Sequence, residues 1–233
     1  MKKWAIIFLL IPALAFGFLQ SDPDVGTGSA VASGSYTGSV AIYHNCNALS
    51  TAYNIGSGTL TFPAGASAVN GEWYIEQSDW DDLVCPLTSL SDTDTFRIGF
   101  YFTFENNVGT EQYTRFLRIP SDGSQFKMLI YNTGQVNFIL GDNASYILSS
   151  SDLDDESKHF VELAFNDTNN TLHVYIDGSE LGNLTYASID LSAVTDAYFG
   201  SGDTYPGWFY IDQFMVSDDD TENLFDVKDK TDF

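Results

Sequence analysis

Positive charge is scarce in this chain of 233 residues: nine Lys and Arg stand against 32 Asp and Glu, a formal charge of −23 at pH 7. Such a molecule repels phosphate backbones and anionic bilayers, which speaks against nucleic acid and acidic membrane surfaces as partners. Glutamate is scarce as well, with 8 Glu against 24 Asp. Asp favours turns and loop caps, whereas helical surfaces lean on Glu and Lys, so the acidity is that of a loop-rich protein and not of a helical bundle. No long stretch holds a helical periodicity, and Ser151–Lys158 has room for a single turn only. There are two cysteines and three histidines. Gly-x-Ser-x-Gly, His-Glu-x-x-His and zinc-type Cys/His spacings are all missing.

Apolar runs are long in one place only. Lys2 and Lys3 precede an apolar stretch from Trp4 to Phe16, with the small residues Ala13 and Ala15 near its end and Gly17 just after it. This is the layout of a secretory signal peptide over residues 1–17, with cleavage after Ala15 or Gly17. Pro12 and Gly17 interrupt a run that is already short for a spanning helix. The expected product is secreted, or held at the cell surface. In that oxidising setting Cys46 and Cys85 form an even pair, expected to be bonded; two buried free thiols are the alternative. Four Asn-x-Ser/Thr sequons begin at Asn143, Asn166, Asn169 and Asn183, and matter only where the host glycosylates.

Residues 18–39 are small, polar and rich in Gly and Ser, a flexible arm. From residue 40 the chain becomes a series of short runs with period two. Phe96, Ile98, Phe100, Phe102 and Phe104 alternate with Arg97, Gly99, Tyr101 and Thr103, a strand with one wholly apolar face. Phe126-x-Met128-x-Ile130 and Val136-x-Phe138-x-Leu140 repeat the pattern across Asn132-Thr133-Gly134. Val161-x-Leu163-x-Phe165 and Leu172-x-Val174-x-Ile176 do so across an Asn-rich turn. Phe209 to Met215 is apolar on both faces, as for a strand buried on both sides or lying under a loop. The pattern predicts an all-β, antiparallel β-sandwich over residues 40–216, followed by a frayed acidic tail at 217–233.

Particular motifs narrow this further. His159, Val161, Tyr175, Asp177 and Gly178 resemble, in order and spacing, the central hairpin of LamG-like domains, within the concanavalin A-like lectin and glucanase superfamily of jelly rolls. Tyr198-Phe199-Gly200 and Trp208 to Phe214 are similar to that family's last strands, and Val69 to Ile75 to its opening. The tryptophan of the family's hairpin is absent here. The resemblance implies a concanavalin A-like jelly roll. It does not imply one function, because the superfamily holds lectins, adhesion modules, glycosidases and lyases. It also implies Ca²⁺ at the sandwich rim, toward which the Asp79–Asp82 loop and Asp218-Asp219-Asp220 could contribute.

Glycoside hydrolysis needs two carboxylates in one cleft. The superfamily's Glu-x-Asp-x-x-Glu string is missing, and His44, His159 and His173 are scattered. No catalytic residues can be named. Binding has better candidates. Sugars stack on exposed aromatics while acids take their hydroxyls, and Trp80, Asp79, Asp81 and Asp82 combine both, as do Asp203 and Tyr205. The leading expectation is a non-catalytic module binding glycans or extracellular proteins. The alternative is a structural subunit of a filament, sheath or capsid decoration that self-assembles through the N-terminal arm. A glycan-cleaving enzyme comes third.

Overall fold

The computed structural model describes residues 40–76, 82–87, 95–105, 113–121, 124–131, 133–141, 145–148, 153, 157–166, 168–185, 194–200, 208–218 and 223–227. The leader and the arm lie outside them. The elements are β1 (Val40–His44), β2 (Ser67–Val69), β3 (Glu72–Glu76), β4 (Leu83–Pro86), β5 (Thr95–Glu105), β6 (Tyr113–Ser121), β7 (Ser124–Tyr131), β8 (Val136–Leu140), β9 (Ser145–Leu148), β10 (His159–Asn166), β11 (Thr171–Ile176), β12 (Ser179–Thr185), β13 (Asp196–Phe199), β14 (Trp208–Ser217) and the short helix α1 (Leu224–Val227). They form two antiparallel sheets. The larger runs β12-β11-β10-β5-β14-β3-β2, with β1 also paired to β14; the smaller runs β4-β13-β6-β7-β8-β9.

The two sheets share one apolar core because period-two strands turn one face inward. Phe96, Ile98, Phe100, Phe102 and Phe104 of β5 are all buried, as the alternation predicts. Phe100 meets Phe116 of β6 and Phe199 of β13, and Phe116 packs edge-on to Phe209 of β14, so aromatic contacts cross from sheet to sheet. The expected hairpins form: β7 pairs with β8, and β10 with β11. Asp177 and Gly178 join β11 to β12 with φ of 50° and 78°, the left-handed pair that a two-residue turn requires.

β14 carries two partners along one edge. Its first half pairs with β3, and its second half with β1. A bulge between Asp212 and Met215 separates the halves, and Gln213 takes φ 51° within it. Both faces of the strand are apolar because both are covered: Phe214 and Val216 enter the main core, while Met215 joins Val40, Phe160, Leu224 and Val227 in a second cluster outside the sheet.

That second cluster revises the reading of the tail. Leu224 is fully buried and Val227 nearly so, and the Phe225 N–H donates to Glu162 Oε2 at 3.2 Å. Two glycines make the seat. A Cβ on Gly99 would stand 2.8 Å from Phe160 and 3.0 Å from Leu224, and one on Gly178 would stand 2.6 Å from Phe225. Residues 224–227 are therefore part of the domain and not a frayed end.

The expected Cys46–Cys85 bridge is not formed; both thiols are free and buried. Each has another neighbour. Cys46 Sγ lies 3.5 Å from the His44 carbonyl, and beside Cys85 the Tyr53 hydroxyl donates to the Pro86 carbonyl at 3.0 Å. Burial pushes both thiols well above their ordinary range.

Candidate functional site: the outer face of the larger sheet

The inward residues of β3, β5 and β14 dictate what faces out. Trp73 and Ile75 are in the core, so Glu72 and Tyr74 point away from it; Phe100 and Phe102 do the same for Tyr101, and Phe209 and Ile211 for Tyr210 and Asp212. Register places Tyr74 directly opposite Tyr210, with ring centroids 5.1 Å apart. Beside this pair, Lys158 reaches from the start of β10 and joins the two carboxylates, contacting Glu72 and lying 3.0 Å from Asp212 Oδ2. Its ammonium also lies 5.5 Å from the Tyr101 ring centroid. The result is a half-buried polar knot bordered by tyrosine faces.

The charges of the knot depend on one another. Burial raises the Asp212 carboxyl above its ordinary range, against the pull of Lys158. Burial also works to lower the Lys158 ammonium, yet its bonds to Glu72 and Asp212 outweigh this and hold it above the usual value. Tyr43, on β1 across the bulge, is pushed up to about 12 by burial and by the Asp212 charge. The bulge at 212–215 is the local device that positions Asp212, since the strand leaves regular pairing at that residue.

Two further polar sets lie on the same face. Arg97 pairs with the buried Glu162 beneath Phe225. His173 bonds Glu180 at 2.8 Å and stacks on Tyr175. His159 instead bonds Asp177 at 2.8 Å, and the register sets His173 opposite Ala164 and not opposite His159. The two histidines form no pair.

Of the residues singled out from sequence, Trp80, Asp79, Asp81, Asp203, Tyr205 and Asn143 lie outside the described residues. Asp82 is described, and it is committed to Arg118 at 3.2 Å. Asn169 and Asn183 are exposed, whereas Asn166 is half-buried and accepts the Asn169 N–H at 2.9 Å. Among the described residues no group of three or more His, Cys, Asp or Glu could hold a metal ion, and the acids of the knot already hold an ammonium, so they do not fit calcium. The sequence reading missed Tyr74, Tyr101, Tyr210, Glu72, Lys158 and Asp212. Glu72, Tyr74, Tyr101, Tyr210 and Asp212 are outward positions of β3, β5 and β14, and Lys158 immediately precedes β10, so no inward stripe singles any of them out.

No protein-family model matches the chain, and no curated protein matches it in sequence. Solved structures do match it in fold. The botulinum neurotoxin serotype D binding domain is 13% identical with a TM-score of 0.64, covering 80% of this chain and 49% of that one. The binding domain of botulinum neurotoxin DC in complex with rat synaptotagmin II is 13% identical with a TM-score of 0.60, covering 83% and 52%. The same domain in complex with SialylT is 14% identical with a TM-score of 0.58, covering 83% and 52%. The chain thus spans about half the length of the structures it matches, and at these identities the likeness establishes a shared two-sheet β fold.

Proposed function

We propose that the chain is a secreted, non-catalytic module of the LamG-like, concanavalin A-like type, and that it binds a saccharide on the outer face of its larger sheet. The observation that carries this is the Tyr74–Tyr210 pair beside the Lys158–Glu72–Asp212 knot. A pyranose ring has apolar C–H faces that lie on aromatic rings, and hydroxyls that need donors and acceptors together. The tyrosines offer the first, and the ammonium with two carboxylates the second. One ammonium between two carboxylates leaves the knot net negative, which favours a neutral sugar there. The fold neighbours include domains solved with SialylT and with synaptotagmin II, which supports a recognition role for a fold of this kind.

Screening the mature protein on an array of neutral and acidic glycans tests the reading. The Tyr74→Ala/Tyr210→Ala double variant is expected to lose its neutral-glycan signals at least tenfold, about 1.4 kcal/mol or more, while keeping a near-native melting temperature. Unchanged neutral-glycan binding by that variant would overturn the proposal.

A further inference from the structure

The outer face of the smaller sheet gathers positive charge in a chain that has little of it. Of nine basic residues, Arg115, Arg118 and Lys127 stand together on β6 and β7. Phe126, Met128 and Ile130 are in the core, so Lys127 and Leu129 point outward. Phe116, Leu117 and Ile119 are buried, and a bulge between Arg115 and Leu117 keeps Arg115 and Arg118 on that same outward side. Register sets Arg118 directly across from Lys127, and Arg115 across from Leu129.

Like charges directly opposite each other destabilise a sheet. In a chain this acidic, an arrangement with a carboxylate at one of the two positions was readily available. Arg118 is accommodated: it pairs with Asp82 at 3.2 Å and lies 4.4 Å over the Tyr198 ring. Lys127 has no carboxylate and no hydrogen-bond partner among the described residues. One strand further, Asn137 pairs with Leu129 in the β7–β8 ladder. Its Nδ2 donates to the Tyr131 hydroxyl at 3.3 Å, but its Oδ1 is buried without a partner, in a side chain only 8% exposed. A buried amide oxygen left unpaired costs about 1–3 kcal/mol. An unpaired ammonium and an unpaired acceptor on neighbouring strands each ask for the complementary group.

We propose that this face binds an acidic sugar unit, its carboxylate or sulfate ester meeting Lys127 beside Arg115 and Arg118, and one hydroxyl donating to Asn137 Oδ1. The inference rests on the reading of the chain as a saccharide-binding module, but it uses the opposite sheet and a different charge. The overall charge of −23 restricts the ligand to a short or sparsely charged glycan, because a long polyanion would be repelled by the rest of the surface.

Calorimetric titration of the mature protein with trigalacturonate, with a sulfated trisaccharide and with neutral galactotriose, at low and at high salt, tests it. At least one acidic probe is expected to bind, and the one that does identifies carboxylate or sulfate as the recognised group. The Lys127→Gln variant should weaken that binding at least tenfold, as should raised salt, because a contact near the surface is screened. The melting temperature of Lys127→Gln should hold or rise, since a like-charge opposition is removed. Tyr74→Ala/Tyr210→Ala should leave acidic binding intact, so the two faces fail independently. Binding of neither acidic probe, or equal binding by wild type and Lys127→Gln, would overturn the proposal.

Discussion

His44 shows how far the core reaches into polar chemistry. It is fully buried, its Nδ1 accepts the Cys46 N–H at 2.9 Å, and its ring lies 4.5 Å from that of Trp73. Burial lowers its pKa from 6.5 to about 4, partly opposed by the Ser50 carbonyl. The folded protein therefore holds this ring neutral where the unfolded chain would protonate it. Its contribution to stability is intact above pH 6.5 and falls as pH drops toward 4, by on the order of 3 kcal/mol in all. Urea unfolding at pH 7 and pH 4.5 should show this loss in the wild type and a much smaller one in His44→Asn, which keeps an acceptor for Cys46; equal losses would place the acid sensitivity elsewhere. Lys158 carries the opposite sign. Its raised pKa gives stability that is full below its ordinary value of 10.5 and is lost as pH rises through the folded value. At neutral pH, Lys158→Met should cost about 1–2 kcal/mol, less than for a fully buried pair because the side chain is 39% exposed. Adding Asp212→Asn, or lowering the pH through the raised Asp212 titration, should restore part of that loss. A cost unchanged by either step would mean that the carboxylates are not held apart by the ammonium. Neither role is legible from sequence, where His44 is one scattered histidine and Lys158 ends a segment with room for a single turn. What makes them significant is contact between positions far apart in the chain.

At the scale of elements, alternation carried most of the information. The β5 stripe and the β7–β8 and β10–β11 hairpins are where the period-two runs put them, because a sheet with one buried face demands that pattern. The Asp177-Gly178 turn is equally local, needing left-handed backbone at both residues. The packing of residues 224–227 is not legible in the sequence for a related reason. Leu224, Phe225 and Val227 are too few to show a period, and their burial is decided by glycines in other strands. Leu224→Ala should therefore cost about 2–4 kcal/mol, as for a buried leucine. Gly99→Ala should also destabilise, through contact with Phe160 and Leu224. Denaturant midpoints within error of wild type for both variants would return the segment to the status of a loose tail.

For the whole molecule, composition located the class but not the site. Scarce cations and abundant Asp pointed to a loop-rich β-protein, and the two-sheet fold agrees. The faces were not legible, because a face is assembled from outward residues of several strands whose neighbours are fixed only by the sheet order. Tyr74 and Tyr210 are far apart in the chain and directly opposed in space. The most direct test is chemical-shift mapping of a neutral glycan ligand onto the protein by two-dimensional NMR. Perturbations should concentrate at Glu72, Tyr74, Tyr101, Lys158, Tyr210 and Asp212. Perturbations confined to residues 77–81 and 201–207, with these six unmoved, would contradict the account and move the site to the sequence around Trp80 and Tyr205.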